Sequence, residues 1–320
     1  MRKSILWHFL VLMLPTSILC QKIDHMVSFR DMQSERYFRF NYDNDFFAAA
    51  DRNYTQGYAL EFVLPVLQKN PVNFLFFKPK DVTFRYGMAL EHIGFTPDDY
   101  VSPSIQFEDR PFASALMLKS FVIGTDTMRR ARLSQSFSMG IIGPWAFGEE
   151  MQVGIHRAIG DKIPGGWPNQ IANDVVVNYR LAYEKRLFRF RNAISLQADT
   201  AVQLGTLFTN ASFGMNTTIG LLDDTFGPKS GTTKFSAYLF VRPLVHVVGY
   251  DATLQGGVFN RRSPYTIATA DIERFTASLE YGAILKTGTL YFEYTRASST
   301  REFETGSSAK WGGIKIGFGF

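Results

Sequence analysis

The last ten residues constrain the fold more tightly than any other part of the chain. Across residues 311–320, Ile314, Ile316, Phe318 and Phe320 fall on one side of an extended segment, and Gly313, Lys315, Gly317 and Gly319 fall on the other. That is the two-residue period of a β-strand with one apolar face, and it ends on an aromatic residue. The chain is rich in aromatics, with 30 Phe and 14 Tyr, yet its mean hydropathy is only −0.06. A membrane β-barrel needs this combination, because aromatic girdles and outward apolar residues are diluted by inward polar ones.

An aromatic residue at the extreme C-terminus of such a strand has the form of the assembly signal of bacterial outer membrane barrels. The competing reading is the last strand of a soluble sandwich. The aromatic load and the N-terminus argue for the barrel. Arg2 and Lys3, the apolar run from Ile5 to Leu14 and the sequence up to Cys20 read as a secretory signal peptide over residues 1–20, cleaved before Gln21. Leu19 stands where a lipoprotein signal calls for a small residue, which disfavours lipidation at Cys20. No apolar run is long enough for a spanning helix. With Cys20 in the leader, residues 21–320 contain no cysteine, so disulfides, thiol catalysis and cysteine metal sites are excluded. They keep 32 of the 34 Lys and Arg against all 29 Asp and Glu, a net +3 that is too mild to point to nucleic acid.

Alternation predicts strands near 36–45, 56–65, 82–92, 112–123, 128–142, 174–186, 191–204, 210–221, 235–247, 271–285, 287–298 and 310–320. A Gly-rich candidate at 249–259 alternates poorly, and an even strand count leaves it out. The expectation is an all-β protein: one transmembrane antiparallel β-barrel domain of about twelve strands over residues 21–320. With both termini periplasmic, the connections after odd-numbered strands are extracellular. Residues 143–173, after the fifth strand, therefore lie outside the cell. So do residues 46–55, after the first.

Within the first of these external connections the spacing turns helical over residues 148–167, and Gln152 and His156 share one helical face. A helix carrying a histidine in an all-β chain points to chemistry placed on a loop. Near the other connection stand Asn41, Asp43, Asn44, Asp45, Asp51, Arg52 and Thr55. The helical segment adds Glu149, Glu150, Asp161, Asn169, Gln170 and Asp174. Asp and Asn oxygens suit a hard cation such as Ca²⁺, and a single histidine makes no zinc site. The paired-histidine zinc-hydrolase pattern and the Gly-x-Ser-x-Gly elbow are absent. What remains is a histidine able to activate water, with a cation and amide or hydroxyl donors for an oxyanion. Each piece also has a bland reading: Asp51-Arg52 as a solvated ion pair, His156 as loop packing, Asn44-Asp45 as turn chemistry. Of the other histidines, His25 belongs to an N-terminal tail, His246 to the barrel wall, and His92 to the end of the third strand.

At these residues the chain resembles the outer membrane lipid A 3′-O-deacylase family (LpxR-like proteins). The resemblance is carried by Asn44-Asp45-Phe46, by Asp51-Arg52-Asn53-Tyr54-Thr55-Gln56-Gly57 and by Thr96-Pro97-Asp98. It continues through Gly148-Glu149-Glu150-Met151-Gln152 with His156, Gly166-Trp167-Pro168-Asn169-Gln170, Arg301-Glu302-Phe303 and the last strand. The resemblance implies a hydrolase that removes an ester-linked acyloxyacyl group from the lipid A of lipopolysaccharide in the outer membrane, with Ca²⁺ as cofactor. It implies His156 as general base, Asn44 in positioning, and Thr55 and Gln152 as polar partners. Asp45 and Asp161 would hold Ca²⁺. An acidic residue is expected shortly after the histidine, and Asp161 stands nearest, with Glu149, Glu150 and Asp174 as rivals. The alternatives are a non-enzymatic pore or structural barrel, and a phospholipase using the same site.

Overall fold

The computed structural model describes residues 23–48, 53–226 and 235–320. The proposed leader, together with Asp51 and Arg52, lies outside the described residues. Thr55 is placed in a strand, but its side chain also lies outside them.

Twelve antiparallel strands close into a barrel. They are β1 (Tyr37–Asn44), β2 (Asn53–Val63), β3 (Thr83–Thr96), β4 (Ala113–Asp126), β5 (Ala131–Ile142) and β6 (Asp174–Phe190), followed by β7 (Ile194–Gly205), β8 (Phe208–Leu221), β9 (Phe235–Asp251), β10 (Phe275–Thr287), β11 (Leu290–Ser299) and β12 (Ala309–Gly319). Each coincides with an expected strand to within a few residues. The omitted 249–259 segment is the end of β9 followed by a short helix, α2 (Ala252–Gln255). The expected helix is present but shorter: α1 (Gly148–Ile159) stops where Gly160 turns left-handed at φ 74°. Among the described residues no helix is long and apolar enough to cross a membrane.

The register sets out the outer surface row by row. One row in the hydrogen-bonding direction reads Phe292, Ile316, Phe40, Leu60, Leu90 and Leu118, wholly apolar. Two residues nearer the extracellular end, the row reads Tyr294, Ile314, Tyr42, Tyr58, His92 and Leu116. The next is polar or small: Arg296, Gly312, Asn44, Gln56, Gly94 and Ser114. Hydrocarbon contact, an aromatic girdle and a headgroup-level row follow one another, as a barrel wall requires.

The inside is closed. Residues 23–32 do not trail as a tail; they enter the lumen. Arg30, fully buried, meets Glu293 at 2.8 Å and Glu280 at 2.9 Å. Asp31 is held by Arg85 and Arg132, and Asp24 lies 2.8 Å from Arg180 and 3.3 Å from Arg242. The backbone N–H of Ser28 donates to the Glu184 carboxylate at 2.8 Å. Charges from wall and segment neutralise one another, the condition for burying them at all. His25 is buried with this segment, and its carbonyl accepts from Arg39 at 2.7 Å. At the extracellular end Ile93, Phe95, Met117, Leu207, Ala297 and Trp311 form an apolar stopper. Between the two closures is a cavity of about 100 Å³, lined in part by Asn178, Arg180, His246 and Ser278.

Candidate active site

Strand parity divides the first polar cluster. Asn41 and Asp43 point into the lumen, where Asp43 stands 3.7 Å from Lys315. Asn44, the next residue, lies on the outer face in the polar row. Its Oδ1 accepts from the Phe46 N–H at 2.8 Å, and its Nδ2 donates to the Tyr42 hydroxyl at 3.2 Å. Asp45 is buried at the start of a 3-10 turn, Asp45–Ala48. Further along, Arg296 from β11 donates to the Phe47 carbonyl at 2.6 Å and ties that turn to the wall.

Helix α1 reaches the same outer surface from the other side. Its entry is anchored on outward-facing groups. His92 stacks on Tyr58 with ring centroids 5.1 Å apart, and its Nε2–H donates to the Ala146 carbonyl at 3.0 Å. His92 is therefore a strut inside β3 rather than a residue at its end. Gly148 sits so close to Ser114 and Trp167 that a Cβ would lie 2.5 Å from the Ser114 side chain and 2.7 Å from the indole. Only glycine allows this approach. Glu149 and Glu150 occupy the first turn, where carboxylates complement the helix dipole. The side facing the protein carries Gly148, Gln152 and His156 at four-residue steps. Gln152 Oε1 accepts from the Trp167 indole N–H at 2.7 Å, leaving the amide NH₂ as its donor end. Trp167 packs with Tyr100 and Phe112 beside the helix.

His156 is held on two sides. Its ring meets Tyr100 edge-on, 5.6 Å between centroids. Its Nδ1 lies 2.6 Å from the Lys162 carbonyl oxygen. A carbonyl only accepts, so Nδ1 carries the proton and Nε2 presents its lone pair. The residue that orients the histidine is thus a backbone atom, which no inventory of side chains could have shown. Asp161 stands 3.8 Å from Nδ1, beyond hydrogen-bond range, and its Oδ1 accepts from the Lys162 N–H at 2.7 Å. Its side chain is 48% exposed. Asp174 serves structure: its Oδ2 accepts from the N–H groups of Phe259 and Asn260 at 2.7 and 3.1 Å.

The register links the two halves of the site. Asn44 neighbours Gln56, Gln56 neighbours Gly94, Gly94 neighbours Ser114, and Ser114 packs under Gly148. Three strand spacings separate Asn44 from Ser114, about 14 Å along the outer wall. Gln56, buried within this row, is a polar neighbour of Asn44 that the resemblance does not assign a role, and its signal in the sequence is its strand parity with Asn44. Among the described residues no three His, Cys, Asp or Glu side chains converge as a metal site. Asn44 and Asp45 supply hard oxygens of the type Ca²⁺ takes, so a cation held there would complete its shell with backbone, water or substrate oxygens.

The family model described as outer membrane protein LpxR matches residues 6–320. Among solved structures, LpxR from Salmonella typhimurium superposes with a TM-score of 0.72 at 20% identity, covering 89% of this chain and 100% of that one. The β domain of the Bordetella autotransporter BrkA has a TM-score of 0.46 at 7% identity, covering 89% of this chain and 98% of that one. No curated protein matches.

Proposed function

The chain belongs to the LpxR family of outer membrane proteins, and from that premise we propose that it is a carboxylic ester hydrolase that removes the 3′-linked acyloxyacyl group of lipid A. The observation that carries this reading is His156, fixed by the Lys162 carbonyl with Nε2 as base, on a helix seated against the outer wall. The ester bonds of a membrane lipid lie outside the barrel at headgroup depth, and so does this site.

The chemistry follows from the residues. Nε2 of His156 takes a proton from water as the oxygen attacks the ester carbonyl carbon. The negative charge that develops on the carbonyl oxygen would be met by amide donors, the role proposed for Asn44 and Gln152, with the Thr55 hydroxyl as a further polar partner. The imidazolium then returns its proton to the departing sugar oxygen as the carbon–oxygen bond breaks, releasing a carboxylic acid and an alcohol. Asn44 and Asp45 would hold Ca²⁺, which when bound supplies positive charge at the ester carbonyl.

The pore alternative finds no support in a lumen closed by an ion-paired segment and an apolar stopper. Mass spectrometry of lipids from cells with and without the protein tests the proposal. Loss of one acyloxyacyl unit from lipid A, dependent on His156, is the expected result. Unchanged lipid A would overturn it, and altered phospholipids with intact lipid A would make the protein a phospholipase.

A further inference from the structure

The segment that carries His156 has a second surface that the catalytic reading does not use. Phe147, Met151, Ile155 and Ile159 follow one another at four-residue steps and form an apolar ridge along α1, beside the face that packs on the protein. Phe147 is 55% exposed and Ile159 is 68% exposed; Ile155 is exposed as well. Trp145 precedes the ridge at 66% exposure, and Ile163, also exposed, follows it. The flank that carries Glu150 and Arg157 is polar. Facing water, an exposed ridge of this length would be unfavourable.

We propose that residues 144–163 form an interfacial element embedded in the outer leaflet, with this ridge in contact with the acyl chains of the bilayer that surrounds the barrel. Its occupant is set by continuity. The Pro144–Ala146 turn is bonded to His92, and Gly143 N–H donates to the Ser114 carbonyl at 2.9 Å. His92 and Ser114 are outward-facing, and directly below them stand Leu116, Leu90 and Leu118 of the lipid-facing wall. The ridge extends that apolar surface, and a tryptophan at its edge suits headgroup depth. A lipid bilayer is the partner, and the inference rests on the outer membrane location rather than on the esterase reading.

Trp145 supplies the probe, because Trp167 and Trp311 are buried. The protein is reconstituted into phosphatidylcholine vesicles with or without bromine on the acyl chains, and the Trp145→Phe variant gives the background to subtract. Bromolipid should quench the Trp145 component, and an aqueous quencher should leave it largely intact. In the Trp145→Phe background, Ile159→Trp should be quenched by bromolipid and Arg157→Trp should not. Emission from Trp145 and Ile159→Trp that responds to the aqueous quencher and ignores bromolipid would overturn the proposal. So would equal bromolipid quenching at positions 157 and 159.

Discussion

The Nδ1 atom of His156 lies 2.6 Å from the carbonyl oxygen of Lys162, six residues on, past the glycine that ends the helix. The contact fixes the tautomer and the plane of the ring together. Replacing His156 with Ala should lower lipid A deacylation by roughly 10²- to 10⁴-fold, the usual contribution of a positioned base. Barrel stability should not change, because the residue belongs to a loop. Lipid A mass spectra over a time course, with heat-modified gel migration as the folding control, check both points.

Asp45 and Asp161 should behave differently when neutralised. Asp45→Asn should abolish the stimulation by added Ca²⁺. Asp161→Asn should cost less than about tenfold, or roughly 1.4 kcal/mol, because the carbonyl of its neighbour does the orienting. Equal collapse of Ca²⁺ dependence in both variants would make Asp161 a ligand after all. Titration of activity against Ca²⁺ reads the difference.

Gln152→Leu should destabilise the external loop locally. It removes the acceptor of the buried Trp167 indole N–H, and an unsatisfied buried donor costs about 1–3 kcal/mol. Faster proteolytic cleavage within 160–170, with the strands intact, is the expected signature.

Arg30→Ala should leave Glu280 and Glu293 buried with one partner fewer, a loss of about 3–5 kcal/mol by analogy with other broken buried pairs. Planar bilayer recordings should show no stable current from the wild type and intermittent current from the variant. A steady wild-type channel would contradict the closed lumen.

The rim should respond to pH near neutrality. Burial pushes the Glu302 carboxyl up to about 7, Arg110 at 3.0 Å opposes the shift, and the charge of Asp251 adds to it. A carboxyl whose folded pKa is raised contributes stability that is complete below its unfolded value of about 4.5. That contribution is lost as pH rises through about 7. Urea midpoints should fall across this window in the wild type and fall less in Glu302→Gln, where burial still raises the neighbouring Asp251 carboxyl.

Alternation made all twelve strands legible because each faces lipid on one side and a polar interior on the other. The same rule separates Asn44 from Asp43 and places Gln56 and Ser114 in its row, a step the polar cluster taken as a whole had hidden. The contents of the lumen were not legible. Residues 23–32 carry no periodicity, and their partners, among them Arg132, Glu184 and Glu293, are far away in sequence. The helical spacing runs past the end of α1 because a lone glycine is weak evidence of a stop, whereas Gly160 in fact takes a left-handed conformation there. Lys162 itself could not be found, since it acts through its backbone.

A segment near the start of the chain, clasped by charges from β3, β6, β9, β10 and β11, ties the beginning of synthesis to its end. The Arg30–Glu293 pair spans 263 residues, so it cannot form before the penultimate strand arrives. Until then these acids and bases remain hydrated, and a chain destined for lipid travels with half of each strand polar. Its solubility in transit and its sealed interior at the destination come from the same side chains, unpaired at first and mutually neutralised once the cylinder closes.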